Sequence, residues 1–278
     1  MIQNIAHAGG RALAPENTLA AARKSLEVGA DLWELDVAVT ADGELILFHD
    51  DSLARTTNVE TLFPDRAPWT FTTLSLAEIR SLDAGSWFAA ADPLGQIAAG
   101  TVSAAELQTY AGEKIPTLAE ALIFTQENDY RVNIEMKRLP PPLQDFPVPQ
   151  RVVSLIERLK IDPHRLIISS ANQTWLRTVR QLNPALELQA VLGIPETAPL
   201  EWGNFEFTAY NVRHTMISDN EIMALRRRGI AINLWTVNDP DDMERFIAAG
   251  VAGLITDFPQ RLKKLLHASK LNNQETTL

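Results

Sequence analysis

The chain has 278 residues, 46% of them hydrophobic and 22% charged, with a formal net charge of -10 and no cysteine. The acidic balance argues against a nucleic-acid partner, since a phosphate backbone needs a basic surface; an anionic small molecule would need local positive charge or a metal to receive it. Disulfides, thiolate catalysis and thiolate-bound metals are excluded.

The N-terminal MIQNIAHAGGRALAPENT lacks the basic start and long apolar core of an export signal. No apolar run approaches the roughly 20 residues of a membrane helix. A cytoplasmic protein without a membrane span is expected. In chain order, NIAHAG, LWELDVAV, LILFHD, RVNIEMK, LIISSA, LQAVLGI, FTAYNV, AINLWTV and GLITDF read as strands, most of them separated by helix-sized segments. Ser218 with Glu221 forms a capping box, Arg226, Arg227 and Arg228 complete the last turn, and Gly229 follows as a stop. Asp239 then caps the next helix, with Pro240 at its first position.

Repeated strand–helix units imply a parallel sheet with right-handed crossovers. Roughly eight units in a chain of this size predict a (β/α)8 TIM barrel. The open doubly wound sheet is the alternative, and the chain has neither glycine-rich nucleotide motif to support it. The whole chain is expected to form one catalytic domain. Residues 51–116 break the rhythm and read as an insertion after the second strand layer, serving as a lid or substrate wall. RLPPPLQDFPVPQ reads as a semi-rigid loop and the polar tail 268–278 as frayed.

Within LWELDVAV, Trp33, Leu35, Val37 and Val39 share one face and Glu34 and Asp36 the other. Two charges that far apart on a strand, about 6.5–7 Å, repel by roughly 2.5 kcal/mol at an effective dielectric near 20. In a barrel the apolar face meets the helices, so the carboxylates point inward. A divalent cation with hard oxygen ligands would offset their repulsion. In NIEMK, Glu135 and Lys137 share a face in the same way. His7 and His49 both sit at strand ends, and imidazole moves protons at neutral pH. Three carboxylates, two histidines and a lysine suit metal-assisted displacement at phosphorus, the metal and Lys137 receiving charge on the phosphate oxygens.

IAHAGGRALAPENTLAA, followed by WELDVAVTADGELILFHDDSLARTTN, resembles the signature of the glycerophosphodiester phosphodiesterase family. LDAGSWF, IPTLAEAL, NIEMK, IISSANQTWL, NLWTVND and GLITDFP extend the likeness over nearly the whole chain. The resemblance implies a TIM barrel and hydrolysis of glycerophosphodiesters to glycerol 3-phosphate and an alcohol. It implies His7 and His49 as the acid–base pair, Glu34, Asp36 and Glu135 as ligands of Mg2+ or Ca2+, and Lys137 and Trp235 beside the substrate. Trp235 comes from the resemblance alone. The chain departs from the family pattern at His7-Ala8-Gly9, where the family carries His-Arg-Gly, and at Ala171, where it often has phenylalanine. Alanine cannot supply the bidentate grip of arginine on phosphate. Two alternatives therefore stand beside a small-substrate phosphodiesterase: a barrel that binds a phosphodiester with impaired catalysis, and an enzyme for lysophospholipids. In the second, Leu62, Phe63, Trp69, Phe71, Trp87 and Phe88 would line an apolar groove unless they form the insertion's own core.

Overall fold

The structure, a computed structural model, describes residues 2–275; in the last helix, side chains from residue 269 onward lie outside the description. Among the described residues, nine strands follow the nine runs read from the sequence: β1 (Gln3–Ala6), β2 (Leu32–Val39), β3 (Leu45–Leu47), β4 (Val132–Met136), β5 (Leu166–Ser170), β6 (Glu187–Leu192), β7 (Ala209–Arg213), β8 (Ala231–Trp235) and β9 (Gly253–Thr256). All except β3 run parallel, in the order β2-β4-β5-β6-β7-β8-β9-β1, and pairing of β1 with β2 closes the barrel. β3 is antiparallel to β2. His49 therefore follows a hairpin strand rather than a barrel strand, so the two histidines do not occupy equivalent strand ends. The hairpin folds back far enough for the Phe48 N–H to donate to the Asp36 carbonyl at 3.0 Å.

Helices cover the outside: α1 (Leu19–Glu27) after β1, then α2 (Val59–Leu62), α3 (Leu76–Ser81), α4 (Ser86–Ala91) and α5 (Ala104–Tyr110) within the insertion, and α6 (Leu118–Glu127) leading to β4. α7 (Val148–Leu159), α8 (Gln173–Leu182), α9 (Asp219–Arg227), α10 (Pro240–Ala249) and α11 (Pro259–Glu275) follow β4, β5, β7, β8 and β9. The crossover from β6 to β7 carries no helix among the described residues. Gly193, Pro195, Pro199 and Gly203 interrupt it, and Trp202 and Phe205 stack at 5.7 Å and pack on Tyr210. The Ser218–Glu221 capping box is present, and Ser75–Glu78, Ser103–Glu106 and Thr117–Glu120 repeat it. α11 carries the backbone through Glu275, with no Gly or Pro to end it earlier; the rest of the segment expected to fray lies outside the described residues.

Every residue of β2 is buried, because helices cover one face and the barrel interior the other. Trp33 packs edge-on against Phe124 of α6, while Ile5, Leu32, Ile167 and Ile255 form a separate apolar layer inside the barrel. Two residues further along the chain from Leu32, Ile5 and Ile255 come Glu34, on the inward face of β2, and His7 and Asp257, just past the ends of β1 and β9 and 2.6 Å apart. The apolar layer is thus the floor beneath a polar layer at the C-terminal mouth. Insertion residues Phe71, Phe88 and Tyr110 belong to the same continuous core as the barrel's outer apolar residues. Trp69 and Trp87 pack against that core, and only Leu62 of the apolar set is clearly exposed, at 46%.

Candidate active site

Register brings the acidic residues together. Asp36 pairs directly with Glu135 across β2 and β4, and Glu34 lies two residues back on the same inward face. One oxygen from each of Glu34, Asp36 and Glu135 lies within 4.8 Å of the others. Burial, reinforced by Asp36 and Glu135, pushes the Glu34 carboxyl above the usual range; burial and Asp36 do the same to Glu135. Burial also opposes ionisation of Asp36, but Lys137, His49 and the Asn17 amide outweigh it and hold that carboxyl low. Lys137 Nζ lies 3.4 Å from Asp36 and donates to the His49 carbonyl at 3.3 Å. Burial works against its charge, yet the three carboxylates raise its pKa.

His7 and His49 are each anchored through Nδ1 by an aspartate. His7 Nδ1 is 2.6 Å from Asp257 Oδ1, and His49 Nδ1 is 2.6 Å from Asp50 Oδ1. Burial opposes protonation of His7, but Asp257, with smaller help from Glu34 and Asp36, raises its pKa to about 9. Trp235 joins His7, Glu34 and Glu135 around a cavity of about 30 Å³. Its indole N–H donates to the Asn211 carbonyl at 3.0 Å, and the Arg213 guanidinium lies 4.4 Å above its ring. All seven residues singled out in the sequence thus gather at one mouth of the barrel, the C-terminal one where this fold carries its chemistry. A larger concavity, about 590 Å³, opens at the opposite end, beside Gln3, Gln189 and Asn233.

The turn after β1 supports this layer. Gly9 has φ 82°, and a Cβ there would come within 2.6 Å of the Ala21 side chain, so only glycine allows α1 to approach so closely. Asn17, also left-handed at φ 56°, clamps Asp36 twice: its amide donates to the carboxylate at 2.9 Å and its carbonyl accepts the Asp36 N–H at 3.0 Å. Ala8 is buried and its N–H donates to Glu34 at 2.9 Å.

Residues 7–261 match the model of the glycerophosphoryl diester phosphodiesterase family. The chain belongs to this family. A glycerophosphodiester phosphodiesterase of Caldanaerobacter subterraneus is 33% identical over 267 residues, covering 94% of this chain and 96% of the relative. An Oleispira antarctica phosphodiesterase, solved in complex with the product sn-glycerol-3-phosphate, superposes with a TM-score of 0.73 at 25% identity, covering 95% of this chain and 96% of the other. A structure from Silicibacter pomeroyi, at 22% identity and a TM-score of 0.75, covers 97% of this chain and 94% of its own and shares the barrel.

In this member of the glycerophosphoryl diester phosphodiesterase family, the arginine nearest in sequence to Ala8 is Arg11. Its guanidinium turns toward Glu16, at 3.8 Å, and Asp257, at 3.6 Å. Sequence reasoning missed Asp50, Asp257, Asn17, Glu16 and Arg55. Asp50 adjoins His49, and the other four stand inside the stretches that carry the resemblance, but nothing in their spacing shows that the folded chain sets them against the histidines and Asp36.

Proposed function

We propose that the protein hydrolyses glycerophosphodiesters to glycerol 3-phosphate and an alcohol as a single catalytic domain. The observation that carries this reading is the convergence of three carboxylates from β2 and β4 between two Asp-anchored imidazoles. The donor set suits a hard divalent cation such as Mg2+ or Ca2+. Two of the three carboxyls resist ionisation through burial and mutual repulsion. The Asn133 carbonyl oxygen, buried and without a partner, belongs to a side chain lining the same small cavity as Glu34 and Glu135. Glu34, Asp36 and Glu135 would hold the ion, which supplies positive charge to the non-bridging phosphate oxygens.

The remaining steps fall to the chain's own groups. Lys137 adds a second positive charge beside the phosphate. His49, oriented by Asp50, accepts the proton of the attacking water or hydroxyl at Nε2. His7, kept protonated by Asp257, gives its Nε2 proton to the departing alkoxide, which is too basic to leave unaided. Trp235 walls the substrate on the β8 side. Release of glycerol 3-phosphate from glycerophosphocholine, lost with chelator and restored by Mg2+ or Ca2+, tests the reading. No turnover with either ion between neutral and alkaline pH would reject it.

Ala8 favours a second reading, a barrel that binds a phosphodiester but cleaves it poorly. Cation-dependent binding of glycerophosphocholine by calorimetry, without product after long incubation, would support that instead. The lysophospholipid alternative gains no support from the insertion, whose aromatic side chains are engaged with the core. Comparing turnover of glycerophosphocholine and lysophosphatidylcholine tests it directly.

A further inference from the structure

Between the two imidazoles runs a chain of alternating charges. Arg55 donates Nε to Asp50 Oδ2 at 2.6 Å and Nη2 to Asp50 Oδ1 at 3.1 Å, gripping the aspartate that anchors His49. The same guanidinium donates Nη1 to Glu16 Oε2 at 3.0 Å and Nη2 to Glu16 Oε1. Glu16 Oε2 then lies 3.8 Å from Arg11 Nη1, and Arg11 Nε lies 3.6 Å from Asp257 Oδ1, the oxygen that anchors His7. The sequence of groups is His49, Asp50, Arg55, Glu16, Arg11, Asp257, His7.

Glu16 is at the centre of this chain and is buried, with 8% of its surface exposed. A buried carboxylate is costly unless ion pairs and hydrogen bonds compensate it. Here a bidentate arginine does so, and a second arginine stands at ion-pair distance. A glutamate serving only the turn that follows β1 needs no such connection to two aspartates arriving from the ends of different elements, β3 and β9. Its neighbour Asn17 performs the matching task for the carboxylate cluster by clamping Asp36. The turn therefore supports both halves of the site.

We propose that Glu16 is a positioning residue shared by both histidines: through Arg55 and Arg11 it fixes Asp50 and Asp257, and so holds both imidazoles toward the attacking and departing oxygens. This rests on His7 and His49 being the proton-transfer groups. Arg55 forms the tighter arm, with four hydrogen bonds to Asp50 and Glu16. Arg11 forms the looser arm, since its buried Nε has no hydrogen-bond partner.

Ring-15N-labelled full-length protein, free of metal, reports the two Nδ1–H groups by NMR. Glu16→Gln is expected to displace both Nδ1–H resonances, Arg55→Gln that of His49 alone, and Arg11→Gln that of His7 alone. In the metal-loaded enzyme, Glu16→Gln is expected to lower kcat by about ten- to a hundredfold, the cost of small misplacements of reacting groups, with little change in KM for glycerophosphocholine. Both resonances staying in place in Glu16→Gln would overturn the proposal. So would a fall of kcat, a rise of KM and a loss of thermal stability together with unmoved resonances. Should Glu16→Gln not fold, the arginine variants, with side chains 42% and 27% exposed, carry the test. If neither moves its own histidine, the proposal fails. The resonances do not depend on turnover, so a wild type without phosphodiesterase activity would reject the functional reading while leaving the positional link decided on its own.

Discussion

Replacing Glu135 by glutamine removes one of three carboxylates that crowd within 4.8 Å, where two full charges repel by about 3.5 kcal/mol at an effective dielectric near 20. Glu135 is only half-buried, and Lys137, His7 and His49 oppose the repulsion. A net gain of about 1–2 kcal/mol is left for the metal-free variant at pH 8, or about 2–4 °C in Tm for a domain of this size. The sign follows from proton linkage. Burial and Asp36 raise the folded-state pKa of Glu135 above its ordinary 4.5. The folded state thus holds this proton more tightly than the unfolded state, and stability falls as pH rises from that ordinary value through the raised one. The gain in Glu135→Gln should be largest at pH 8 and vanish toward pH 4.5. Thermal denaturation with chelator at several pH values measures it, and added Mg2+ or Ca2+ should raise Tm less in the variant than in the wild type. A lower Tm for the metal-free variant at pH 8, or an undiminished response to cation, would refute the crowding argument.

His7→Ala and His49→Ala should each lower kcat by about 10²- to 10⁴-fold, the usual contribution of general acid–base catalysis, while the Tm rise on adding cation persists; loss of that rise would assign them to ion binding instead. Lys137→Met should raise KM for glycerophosphocholine by about ten- to a hundredfold, as expected for a lost charged hydrogen bond, and an unchanged KM would place the phosphate elsewhere. Asp257→Asn removes the main cause of the His7 pKa of about 9. His7 must carry its proton to donate it, so activity falls as pH rises through the His7 pKa of the cation-loaded enzyme, which Asp257 raises. In the variant the alkaline limb of kcat should move toward neutral pH, and an unmoved limb would remove His7 as the donor.

Much of this architecture is legible in the chain itself. Alternation in LWELDVAV separates Trp33, Leu35, Val37 and Val39 from Glu34 and Asp36, and a closed barrel turns that separation into outside and inside. NIEMK repeats the logic, and parallel register then sets Asp36 beside Glu135. Local patterning does not reveal how distant turns meet. His49 looks like the end of a barrel strand because LILF is strand-like, but only long-range pairing shows that β3 folds back on β2. Asp257 lies 250 residues from His7 in sequence, and Arg55 lies 39 from Glu16. Their partners are fixed by barrel closure and by the path of the insertion, which no periodicity encodes. In the crossover before β7, Gly193, Pro195, Pro199 and Gly203 work against a helix, while the aromatic packing that replaces it needs the folded neighbours to be seen.

Calorimetric titration of chelator-stripped protein with Mg2+ and Ca2+ tests most directly whether Glu34, Asp36 and Glu135 form one cation site. One ion should bind per chain with release of protons, since carboxyls held above their ordinary pKa must ionise to coordinate it. Binding should be lost in Asp36→Asn. An absence of binding in the wild type, or affinity that survives Asp36→Asn unchanged, would contradict the site.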